Sequence, residues 1–117
     1  MISATHSALS GLRAVSTAVE QNAHNTANLN TAGFKKGRTL FSEQPTGGVR
    51  ASSQRVDTPG PAVAEQTARG VELVEQSNVD LVEEIPKLMV NTHSYSANLK
   101  TLQAADEMTG HLLDTLG

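Results

Sequence analysis

Four histidines, His6, His24, His93 and His111, are the side chains best suited to metal binding or acid–base work in this 117-residue chain. Two imidazoles share one metal from a helix when they stand four residues apart, and no pair here does. The chain has no cysteine, so thiolate ligands, disulfides and thiol catalysis are excluded together. Glu107 and His111 do stand four apart, but an acid beside an imidazole is ordinary on a solvated helix face. Serine is plentiful, yet no Gly-x-Ser-x-Gly elbow appears, and Gly47-Gly48 lacks the Lys-Ser/Thr of a phosphate loop. The carboxylate neighbours Glu83-Glu84 and Asp106-Glu107 point to different sides of a helix, with no apolar pocket evident to raise a pKa. The expectation is therefore no catalytic, metal or cofactor site, and no enzyme.

What must be positioned instead is apolar surface. Residues 3 to 32 read as a helix, with Ser3 as its cap and Leu9, Leu12, Val15 and Val19 stepping by three and four. Ile2, Ala23 and Thr26 extend that narrow stripe, which suits the seam of a packed helix pair. The following Asn- and Thr-rich run weakens a helix, because such side chains compete for nearby backbone groups. Gly33 can take the left-handed conformation that closes a helix, and Phe34 can fold back onto its last turn. The helix should end near Ala32.

Residues 79 to 116 form a longer helical pattern, capped by Asn78 with Asp80, Glu83 and Glu84 favouring its positive end. Its seam reads Leu81, Ile85, Leu88, Thr92, Tyr95, Leu99, Leu102, Asp106, Thr109, Leu113, Leu116, a heptad register interrupted by polar positions that specify partner. Such a helix spans about 57 Å at 1.5 Å per residue, longer than a globule of this size needs. Pro86 removes a backbone hydrogen bond and predicts a kink, the alternative being a helix that starts near it.

Between the helices, Thr39-Leu40-Phe41 and Val49 to Val56 look like strands around the turn Pro45-Thr46-Gly47-Gly48. Asp57 to Pro61 is a second turn, and Val71 to Val74 resembles another strand. The fold class is thus mainly α, with long terminal helices pairing as a coiled coil around a small β-hairpin-like insert. The divisions are an N-terminal helix over 1–33, an insert over 34–77 and a C-terminal helix over 78–117.

Aromatic residues make up only 3% of the chain, so the side chains that dominate core burial are scarce. Leu, Ile, Val and Phe reach about a fifth, near the lower bound for a self-sufficient core. The chain is expected to keep its hydrophobic surface for other chains. A net charge of −3 gives no electrostatic footprint for nucleic acid. No window approaches the ~20 apolar residues of a membrane span, and no secretory signal peptide is expected.

Ala27-Asn28-Leu29-Asn30-Thr31-Ala32-Gly33-Phe34-Lys35 resembles the N-terminal signature of bacterial flagellar rod and hook proteins. Ser77 to Glu84 is similar to the start of that family's C-terminal helix, as are Tyr95, Ala97, Asn98, Lys100 and Ala105-Asp106-Glu107-Met108 further on. The short middle is most similar to small proximal rod proteins of the C type. The resemblance implies a structural subunit of the basal-body rod, whose terminal helices pack as the inner layer of a hollow axial structure. It further implies rod subunits and the flagellar export apparatus as partners, and export to the periplasmic rod without a cleaved signal. The expected assembly surface is Leu9, Leu12, Val15, Val19, Ile85, Leu88, Tyr95, Leu99, Leu102 and Leu113, and the expected signature turn Asn28, Asn30, Thr31, Gly33 and Phe34. The competing reading is a soluble coiled-coil adaptor or export chaperone of the flagellar system.

Overall fold

A computed structural model describes residues 2–117. Two helices enclose two hairpins in chain order: α1 (Ile2–Ala27), β1 (Gly37–Glu43), β2 (Val49–Arg55), β3 (Ala62–Thr67), β4 (Gly70–Glu75) and α2 (Leu81–Leu116). β1 pairs antiparallel with β2, and β3 with β4, as two separate two-stranded sheets. The middle is thus two hairpins, the stretch from Ala62 to Glu75 forming the second around its Gly70 turn.

The molecule is a rod of 79 × 25 × 20 Å with a radius of gyration of 20.7 Å. A compact chain of roughly 100 residues has a radius near 13 Å. The elongation follows from α2, whose last dozen residues run on as an exposed tail. Gly11 of α1 lies against Asn98 of α2, and Asn22 against Glu84 and Asn91, so the two helices pack antiparallel. The buried apolar side chains are few and small: Ala8, Leu12, Ala14, Val15 and Ala18 from α1, Val79 from the linker and Ala105 from α2.

Three expectations about the helix ends need correction. α1 begins at Ile2, placing Ser3 inside it, and stops at Ala27, not Ala32. Its last turn tightens because Asn28 Nδ2 donates to the His24 carbonyl while the Asn28 and Leu29 amides reach back three residues. The cap of α2 is Asp80, not Asn78: Asp80 is extended, with φ −121° and ψ 119°, and its Oδ1 accepts from the Val82 amide at 2.9 Å. Asn78 is diverted to the hairpin junction described below. α2 runs unbroken through Pro86 and does not restart there.

Candidate assembly interface

The face that α2 turns toward α1 carries a row of polar residues ending in a buried alanine. Glu84, Asn91, Asn98 and Ala105 recur every seven residues, the spacing that keeps a helix seam aligned. Asn22 Nδ2 donates to Glu84 Oε2 at 2.6 Å, and Asn22 Oδ1 accepts from Asn91 Nδ2 at 2.7 Å. Glu84 is only 2% exposed, and its other oxygen lies 3.8 Å from the Lys87 ammonium. Where Asn98 meets α1, the facing residue is Gly11, which carries no side chain. A Cβ on Gly11 would stand 2.7 Å from Asn98 Oδ1, so glycine is what lets that amide close on the helix.

A second group of amides fixes the first hairpin on α1. Asn25, 1% exposed, accepts from the Gly37 amide at 2.9 Å and donates to the Gly37 carbonyl at 2.8 Å. This two-way bond holds the first residue of β1 as a strand partner would. Gln21 Nε2 donates to Asn25 Oδ1, and Gln21 Oε1 accepts from Ser53 Oγ of β2. Nearer the hairpin turn, Ser10 Oγ accepts from the Val49 amide at 3.1 Å.

Asn78 ties the neck between the hairpins and α2. Its Oδ1 accepts from the Lys36 amide at 2.6 Å, and its Nδ2 donates to the Val56 and Thr58 carbonyls, each at 2.9 Å. Lys35 pairs with Glu75, whose Oε1 also accepts from the Gly60 amide, and Lys36 pairs with Glu83 at 2.7 Å. These contacts hold both carboxyls below the usual range. For Glu75 the cause is the Lys35 hydrogen bond and then the Gly60 amide; for Glu83 it is the Lys36 hydrogen bond.

In the turn after α1, Thr31 Oγ1 donates to Asn28 Oδ1, Gly33 has φ +69° and donates to the Glu75 carbonyl, and Phe34 stands edge-on to His24 at 5.4 Å. Asn30 is exposed.

The apolar positions singled out in sequence divide between two environments. Leu12 and Val15 are buried, Val19 and Leu102 half-buried, and Leu9 partly exposed. On α2, Leu88, Tyr95 and Leu99 are about two-fifths exposed and border the seam, while Ile85 and Leu113 are more than half exposed, Leu113 at 67%. The chain covers that stripe only in part. Periodicity of leucines did not reveal Asn22, Asn25, Asn78, Glu84 or Asn91, which hold the pair together. The seven-residue recurrence of Glu84, Asn91 and Asn98 was the available signal.

A cleft of about 400 Å³ opens where α1, β1 and α2 meet, lined by Asn22, Asn25, Thr39, Phe41, Glu84 and Val90. The Thr39 hydroxyl is buried there without a partner, while the amides and Glu84 bond to one another. Among the described residues no His, Asp and Glu cluster could hold a metal, and no helix is long and apolar enough to cross a membrane.

Residues 72–115 match the family model for the flagellar basal body rod FlgEFG protein C-terminal region. The match runs from β4 through the Asn78 neck to the penultimate residue of α2, and makes this part of the chain similar to flagellar rod proteins. It supports a rod-related structural role. No curated protein gives a significant match to the chain.

Proposed function

We propose that this chain, whose C-terminal segment is of the flagellar basal-body rod family, is a structural subunit of that rod and assembles through its terminal helices into the hollow axial structure. The observation that carries the reading is the mismatch on α2. Its seam with α1 centres on Glu84, Asn91, Asn98 and Ala105, while Ile85, Met89, Leu113 and Leu116 are more than half exposed and Leu88, Tyr95 and Leu99 are partly exposed. Burial of such a stripe is worth about 25 cal/mol per Å² when a partner covers it. In the assembly the stripe is completed by coiled-coil packing with neighbouring copies and other rod subunits, the 1–33 and 78–117 segments forming the inner layer and 34–77 the outer part. The Asn28-to-Phe34 turn marks the junction of the two. Export through the flagellar apparatus delivers the chain to the periplasmic rod.

The test is a pair of substitutions on exposed apolar positions, Ile85→Asp and Leu113→Asp. Both should leave the isolated chain folded and exported while removing it from purified basal bodies and abolishing swimming. Normal swimming and normal incorporation of both variants would overturn the reading. A soluble adaptor would instead stay cytoplasmic, so that neither the wild-type chain nor the variants would be found in the rod fraction.

A further inference from the structure

The second hairpin is the part of the molecule with least support from its own chain. β3 and β4 contact each other but neither helix nor the first hairpin, and they are tied down only at the base, around Glu75. A two-stranded hairpin alone is marginal in water. This one leaves Val71 70% and Leu73 77% exposed on one side. On the other, the cross-strand pair Val63 and Val74 adjoins a second pair, Glu65 directly opposite Glu72.

Like charges facing each other across a ladder destabilise it. Among the described residues no cation relieves them. Glu65 accepts only from Gln76 Nε2, and among the described residues no cation pairs with Glu65 or Glu72.

The first hairpin has the opposite excess. Thr39, Phe41, Ala51 and Ser53 turn toward α1, so alternation places Arg38, Leu40, Arg50 and Ser52 on the outer face. Lys35, Lys36 and Arg55 are spent on Glu75, Glu83 and Asp57. Among the described residues Arg38 bonds only to neutral Gln54, and Arg50 holds no ion pair. Leu40 stands exposed between them. One face thus offers two uncommitted guanidiniums around an apolar side chain, and the other an uncommitted carboxylate pair beside two valines.

We propose that the Glu65–Glu72 face of β3–β4 docks on the Arg38–Leu40–Arg50 face of β1–β2 in a neighbouring copy of this chain. The two hairpins of one molecule do not touch, so the match is made between molecules. Because the surfaces are different patches, the contact is head-to-tail and propagates from copy to copy, as a rod requires. The guanidiniums relieve the cross-strand acid pair, and Leu40 covers the Val63–Val74 end. The inference rests on the subunit reading and specifies one of its contacts.

The chain lacks cysteine, so a disulfide trap is clean. Glu72→Cys and Arg50→Cys are introduced into separate copies and mixed under mild oxidation. The expected result is a mixed disulfide dimer in preference to either self-pair; no preference for it overturns the proposal. Charge exchange supplies the second arm. Glu65→Lys/Glu72→Lys and Arg38→Glu/Arg50→Glu should each self-associate about tenfold less than the wild-type chain in sedimentation, with unchanged circular dichroism. Their equimolar mixture should associate again, since each then meets an opposite face. Wild-type-like association of either double variant, or a mixture that stays monomeric, counts against the contact. Incorporation of the Glu65→Lys/Glu72→Lys variant into basal bodies at wild-type level sinks the contact and leaves the subunit reading intact. A trapped dimer from a chain absent from basal bodies does the reverse.

Discussion

Asn22 and Glu84, 62 positions apart, meet across the helix seam with Nδ2 2.6 Å from Oε2, and Glu84 has 2% of its surface in solvent. A carboxylate taken that far from water costs several kcal/mol unless it is hydrogen-bonded. Removing its partner is therefore worse than removing both. Asn22→Ala should destabilise the chain by about 1–3 kcal/mol, while the paired change Asn22→Leu/Glu84→Leu should recover most of the loss. Urea denaturation of the three proteins measures it, and a double variant weaker than Asn22→Ala would contradict the account.

Asn25 is the stricter amide, because both of its functional ends are used on Gly37. Asn25→Asp keeps the acceptor and turns the donor into a second acceptor facing the Gly37 carbonyl. The expected outcome is a loss of about 1–3 kcal/mol and faster amide exchange along β1 than along β4.

Two glycines should respond in opposite senses to the same change. A Cβ on Gly60 would lie 2.1 Å from the Gln76 carbonyl oxygen, which is backbone and cannot swing away. Gly60→Ala should cost about 1–3 kcal/mol through forced displacement at the neck. Gly110, inside α2, has nothing within 4 Å of that position, so Gly110→Ala should raise stability by up to about 1 kcal/mol. Thermal melts of the pair test both signs together.

Pro86 denies the Val82 carbonyl its helical donor in the second turn of α2. Pro86→Ala should stabilise the isolated chain by about 1–3 kcal/mol, read from the denaturation midpoint. A destabilised variant would mean that the ring's place in the cleft beside Lys87 and Val90 outweighs the missing bond.

Acid should loosen the neck before it melts the helices. Glu75 and Glu83 have folded pKa values below their ordinary 4.5, so their contribution is complete above that pH and is lost as pH falls through the lowered values. Both side chains are exposed, so the effect is local. As pH falls below 4.5, the Gly60 and Gly33 amides should lose protection relative to their intrinsic exchange rates, which themselves slow with acid. Asn25-linked Gly37 should not follow.

Sequence by itself determined most of the elements, though not β3 (Ala62–Thr67) or the second hairpin it completes. The two helical stripes, the Pro45–Gly48 turn and the glycine at 70 are local signals, set by propensity and by which backbone conformations each residue tolerates. The C-terminal family match lies where the quoted residues from Ser77 to Met108 had pointed. Helix ends were less legible, because Asn25, Asn28 and Asn78 are all competent caps or turn residues and local chemistry does not say which backbone group each will take.

Only the tertiary structure decided which face of α2 meets α1. The leucine register and the Glu84–Asn91–Asn98–Ala105 register are both seven-residue repeats on the same helix, about one turn-fraction apart, and periodicity treats them alike. The polar register wins within the chain because α1 offers Gly11, Asn22 and small alanines, which fit amides and a carboxylate closely and would leave gaps around leucines. That choice needs a partner surface in three dimensions, and it is what leaves Ile85, Met89, Leu113 and Leu116 of α2 more than half exposed.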